Sequence, residues 1–146
     1  MNKQVKEQLE VIDQHIKDLV GIYRNAVARS GISENEFWIW YSLIIMGGDY
    51  SQQDISGMWS LSKQTVNTII SNMVKKEQII LEVIPGTRNR KAIRLTESGK
   101  KYGESIVLPI ASAEQRALEK LPLKERVDCI NALNKYISFL KEEIYE

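Results

Sequence analysis

Cysteine and histidine are nearly absent from the 146 residues, with only Cys129 and His15 present. A lone thiol cannot close an intrachain disulfide, and a lone imidazole deprives a zinc or iron site of its usual ligands. No metal, no cofactor and no histidine-based catalysis are therefore expected. Long apolar runs are missing too, since none approaches the ~20 residues a membrane helix needs. The polar start, Met1 to Lys6, is followed by no apolar stretch of signal-peptide type, so no membrane association and a cytoplasmic location are expected. No nucleophile–base pair, phosphate loop or convergent carboxylate pair is visible, and adjacent acids such as Glu142 and Glu143 diverge on a helix. An enzyme is not expected.

Net charge is small, at +1 from 20 basic and 19 acidic side chains, but it is unevenly spread. Between Leu61 and Lys101 stand Lys63, Lys75, Lys76, Arg88, Arg90, Lys91, Arg94, Lys100 and Lys101 against only Glu77, Glu82 and Glu97. That third carries +6 and the remainder −5. A polyanion would be drawn to it.

Hydrophobic spacing predicts a long first helix over 5–27, with Val5, Leu9, Ile12, Ile16, Leu19, Tyr23 and Ala26 at alternating steps of four and three. Such a narrow stripe needs a partner helix. Ser33 and Glu36 form a capping-box signature for a second helix reaching Met46, apolar on every side and hence buried. Ser51 then caps a short helix, Gln52 to Trp59, with Ile55, Met58 and Trp59 inward. After a tight turn at Ser60, Ser62 caps the next, expected to run to about Glu77. Val66, Ile69, Ile70, Met73 and Val74 form its inner stripe, leaving an outer face rich in amides. Ile79 to Ile84 and Ala92 to Leu95 flank a Pro85-Gly86 turn as a β-hairpin with a basic tip. Thr96 caps a helix expected to kink near Pro109, and Pro122 precedes a last helix whose Val127, Ile130, Leu133, Ile137, Leu140 and Ile144 repeat the narrow stripe.

A short helix, a tight turn, a capped helix and a basic hairpin in succession make a winged helix-turn-helix. Ser51-Gln52-Gln53-Asp54-Ile55, Leu61-Ser62-Lys63-Gln64-Thr65-Val66, Lys75-Lys76-Glu77 and Leu95-Thr96-Glu97-Ser98-Gly99 together resemble the MarR family of transcriptional regulators. The fold class is accordingly mainly α with a small β-hairpin wing. A winged helix-turn-helix region at 33–99 lies between helical dimerisation regions at 1–32 and 100–146. The resemblance implies a homodimer that binds double-stranded DNA at a pseudo-palindromic operator and acts as a repressor. Ser62, Lys63, Gln64, Thr65, Asn67, Thr68 and Asn72 would then face DNA from the recognition helix, and Arg88, Arg90 and Lys91 from the wing. Arginine is the commonest reader of guanine and the recognition helix has none, whereas Gln64, Asn67 and Asn72 suit adenine, so an A·T-rich operator is expected. Where the family's wing commonly has Asp-x-Arg, this chain has Thr87 and Asn89. The resemblance further implies small aromatic effectors, for which His15, Tyr23, Trp38 and Tyr41 are the candidate ligand-binding residues; the same rings also suit an ordinary core. The alternative function is a winged-helix scaffold for protein–protein docking without DNA.

Overall fold

The computed structural model describes residues Met1–Glu146, which form two compact units, Met1–Leu108 and Pro109–Glu146. Helix α1 spans Lys3–Ala28 and starts where the Asn2 side chain accepts the Val5 N–H at 3.2 Å. Only Val27 in it is buried and Tyr23 and Ala26 are half-buried, so the predicted stripe lies on the surface from Val5 to Leu19, where Val11, Val20 and Ile22 are exposed as well. Gly31, at φ +77°, turns the chain into α2, Glu34–Tyr41.

The Ser33 cap forms only in part. Ser33 Oγ accepts the Glu36 N–H at 3.1 Å, but the Glu36 carboxylate takes the Trp40 indole N–H at 3.3 Å instead of closing the box. Nor does α2 reach Met46 as a regular helix, because Ser42–Met46 widens into a π-helical turn. Ser42 explains the change: its hydroxyl bonds back to the Trp38 carbonyl at 2.9 Å and accepts the Trp59 indole N–H at 2.7 Å. A back-bonded serine loosens the backbone ladder at that turn.

Helices α3, Gln52–Trp59, and α4, Lys63–Lys75, follow. The Ser51–Asp54 box caps α3 reciprocally, and Ser60 makes the turn at φ 52°. Ile55 is buried and Trp59 half-buried, whereas Met58 is exposed, contrary to expectation. On a two-turn helix, residues 55 and 59 share one face and 58 falls about 100° from 59, outside the covered arc. Val66, Ile70 and Met73 are buried in α4, Ile69 is half-buried, and Val74 in the last turn is exposed.

Helix α4 stops two residues before Glu77. Gln78 N–H donates to the Met73 carbonyl (3.0 Å) and Glu77 N–H to that of Val74 (2.9 Å), with Glu77 at φ 59°. This is a Schellman cap with glutamate where glycine is usual. Glu77→Gly should therefore stabilise the fold by about 1 kcal/mol, the strain of a left-handed non-glycine residue. A thermal midpoint that stays level or falls would contradict that backbone conformation.

Strands β1, Ile79–Val83, and β2, Lys91–Leu95, pair antiparallel with Leu81 opposite Ile93. Ile79, Ala92 and Ile93 join Phe37, Ile39, Trp40, Ile55, Val66, Ile70, Met73 and Val107 in the core. Helix α5, Glu97–Glu119, starts where Thr96 Oγ1 accepts the Gly99 N–H at 3.0 Å. The boundary between the two units falls at Pro109, whose ring withholds the N–H that the Ser105 carbonyl would otherwise receive. In the second unit α6, Leu123–Tyr145, has no buried residue, and its six stripe positions are all exposed.

Candidate nucleic-acid interface

Helix α4 is anchored by its apolar side and presents the other. Lys63, Gln64, Asn67, Thr68 and Asn72 are exposed, and helical geometry lines up Gln64, Asn67 and Thr68 with Lys63 and Asn72 flanking them. Ser62 and Thr65 are engaged with each other: Ser62 Oγ accepts the Thr65 N–H at 3.1 Å and donates to Thr65 Oγ1 at 2.8 Å. They fix the helix start. Unlike α2, α3 and α5, this helix carries no acid in its first turn, so the positive end of its dipole is left uncompensated beside Lys63. An anionic backbone suits that end.

The wing tip turns at Gly86 (φ +79°), and Thr87 Oγ1 donates to the Ile84 carbonyl at 2.7 Å. Arg88 is exposed there without an ion-pair partner, and Lys91 is exposed at the start of β2. Arg90, expected to face DNA, has its Nη2 at 2.7 Å from Asp54 Oδ1 and 3.4 Å from Ser51 Oγ. Arg94 is bound by Asp49 and, at 3.1 Å, by Glu82. The Ser51 backbone N–H, against the opposing effect of burial, and then the Ser51 hydroxyl and the Arg90 charge hold the Asp54 carboxyl below its ordinary range, and the Arg94 hydrogen bond does the same for Asp49. Arg90 and Arg94 of the basic third are thus paired across the surface with acids from other elements, while Lys100 faces Glu104 one turn on in α5 at 4.0 Å.

Of the four candidate ligand-binding residues, three come together. Trp38 lies 5.2 Å from Tyr23 and 5.4 Å from Tyr41 between ring centroids, and it stacks on Trp59 at 4.9 Å. Trp59, not among the expected residues, completes the group, although its i,i+4 position to Ile55 marked it as inward. His15 stays apart, two helical turns before Tyr23, exposed, with Nδ1 2.8 Å from the Val11 carbonyl oxygen. No three His, Cys, Asp or Glu side chains are grouped so as to hold a metal ion, and no helix is long and apolar enough to cross a membrane.

No protein-family model matches the sequence, and no curated protein matches it. Solved structures do match in fold. A MarR family regulator from Neisseria meningitidis, NMB1585, superposes with a TM-score of 0.81 at 21% identity, covering 99% of this chain and 98% of that one. MepR of S. aureus, solved as a DNA complex, gives 0.68 at 21% identity over 89% of this chain and 94% of that one. A Staphylococcus aureus MarR in complex with salicylate and kanamycin gives 0.68 at 16% identity over 96% and 94%. The fold is that of the MarR family regulators, over nearly the whole chain.

Proposed function

We propose that this chain is a homodimeric repressor that reads double-stranded DNA in the cytoplasm through α4 and the wing. The carrying observation is the exposed amide face of α4, unpaired with any acid, together with an exposed Arg88 at the wing tip that has no ion-pair partner. Such a helix fits the major groove, where glutamine and asparagine can each pair with the two edge groups of adenine. MepR, which shares the fold, has been solved on DNA. Two copies would set their recognition helices about 34 Å apart, one turn of duplex, over a pseudo-palindrome. A small aromatic effector acting near Tyr23, Trp38 and Tyr41 would release the operator by favouring a different separation. The salicylate complex of a like-folded MarR supports that part.

Selection of bound sequences from random DNA tests the reading. The expected result is a two-fold symmetric, A·T-rich site whose affinity falls by roughly 10³-fold or more between 50 and 200 mM salt, as for ~6 phosphate contacts. Enrichment of G·C-rich half-sites would overturn the assignment of Gln64, Asn67 and Asn72 to adenine. A flat salt response would favour a docking scaffold.

A further inference from the structure

We propose that Arg90 is a positioning residue: it fastens the return strand of the wing to the start of α3 and thereby leaves Arg88 as the arginine that the wing offers to DNA. The functional half of this inference rests on the DNA-binding reading above.

Strand β2 and the residue before it are attached to the 49–54 segment at three successive points. The Arg94 guanidinium bonds Asp49, the Ile93 N–H donates to the Tyr50 carbonyl at 2.8 Å, and Arg90 Nη2 donates to Asp54 Oδ1 at 2.7 Å. Asp54 is itself immobilised. Its Oδ2 accepts the Ser51 N–H at 2.8 Å and the Ser51 hydroxyl at 3.0 Å, which closes the cap of α3 and leaves Oδ1 for the arginine. Ser51 is fully buried, so the far end of this clasp is set in the core.

The clasp decides two things. An arginine already paired with a carboxylate brings no net charge to a phosphate, so it adds little to the counterion release that drives binding. Arg88, two residues earlier at the tip, has no such partner. Because α3 leads through the Ser60 turn into α4, fixing Arg90 to the first turn of α3 also fixes where Arg88 stands relative to the recognition helix.

The test uses Arg88→Ala, Arg90→Ala, Asp54→Asn and the Arg90→Ala/Asp54→Asn pair in the full chain. Asparagine at 54 keeps an acceptor for the Ser51 N–H while discarding the charge. Affinity is measured across salt concentrations on a duplex of roughly 30 base pairs, chosen by the wild-type protein from random DNA and long enough for two half-sites. Arg88→Ala should flatten the salt dependence by about two charges per dimer. Arg90→Ala and Asp54→Asn should each weaken binding about tenfold with the wild-type slope retained, and the pair should be no weaker than either alone. Arg90→Lys, which keeps the charge and one donor, should recover part of the loss. If Arg90→Ala instead flattens the slope and Asp54→Asn tightens binding, Arg90 touches phosphate and the proposal is wrong. Hydrogen exchange in the free protein decides the clasp independently: the Ile93 amide should exchange faster in Arg90→Ala and Asp54→Asn but not in Arg88→Ala. Unchanged protection there would remove the clasp. A wild-type chain that binds no duplex would overturn the DNA-binding reading, while the exchange result would still stand or fall by itself.

Discussion

Leu133→Asp combined with Ile137→Asp should leave the chain monomeric at micromolar concentration and reduce operator affinity by about 10²-fold or more. Both residues lie on the exposed stripe of α6, a helix with no buried residue. A 23-residue helix with one apolar face and no covering partner is marginal in water, and on the proposed reading the second copy covers it. Burying a leucine or isoleucine contributes roughly 1.5–3 kcal/mol, and an aspartate in its place adds the cost of an unpaired, desolvated charge. Two such changes, each present in both copies, exceed what a micromolar dimer holds, about 8 kcal/mol. On the same reading the affinity for DNA falls as well, because two linked half-sites bind with a high effective concentration and separated ones lose it. Sedimentation velocity and an electrophoretic shift measure the two effects. A variant that still sediments as a dimer, or a wild-type monomer, would refute the homodimer and with it the spacing argument for a palindromic operator.

Gly99→Ala should lower stability by about 3 kcal/mol, at the upper end of the usual overpacking cost, and the thermal midpoint by roughly 10 °C. Gly99 is buried in the first turn of α5, and a Cβ there would sit 1.8 Å from the Gln78 carbonyl oxygen and 2.7 Å from its carbon. That carbonyl cannot swing aside. It accepts the Thr96 N–H at 3.1 Å, the Gln78 N–H closes the end of α4, and both Thr96 Oγ1 and Ser98 Oγ donate to the neighbouring Glu77 carbonyl. The end of α4, the base of the hairpin and the start of α5 meet at this point, so the methyl group would strain all three. Gly57→Ala is the matched control, since a Cβ at 57 meets nothing within 4 Å and alanine favours a helix interior. It should be neutral or slightly stabilising. If the two variants melt alike, the close approach of Gln78 to α5 is not present in solution.

Most of the helix starts were legible because the chemistry that makes them is short-range. Ser51, Ser62 and Thr96 each accept a backbone N–H three residues on, which a linear reading can find. The hairpin was legible for the same reason, from a β-branched run, a Pro-Gly turn and a second alternating run. Where the reading failed, a distant group intervened. Trp59, seventeen positions away, holds the Ser42 hydroxyl inside the π-helical turn. Met58, expected inward with Ile55 and Trp59, lies exposed at the edge of the face that this two-turn helix buries.

The candidate interface divides along the same line. The amide face of α4 was readable, because a helix's inner and outer sides follow from a 3.6-residue period. The wing was not: Arg88 and Arg90 are the same residue type two positions apart in a basic turn, and nothing local distinguishes them. Asp54 does, from 36 positions earlier, and Asp49 does the same for Arg94 from 45 positions earlier. The amino-acid order thus carries most of the elements, most of their caps and the positive sign of the 61–101 segment against the negative remainder, since these depend on composition and on neighbours within a turn or two. Which of those charges pair within the chain and which stay free for a partner waits on the folded arrangement, because ion pairing depends on distance in space, and folding alone sets that.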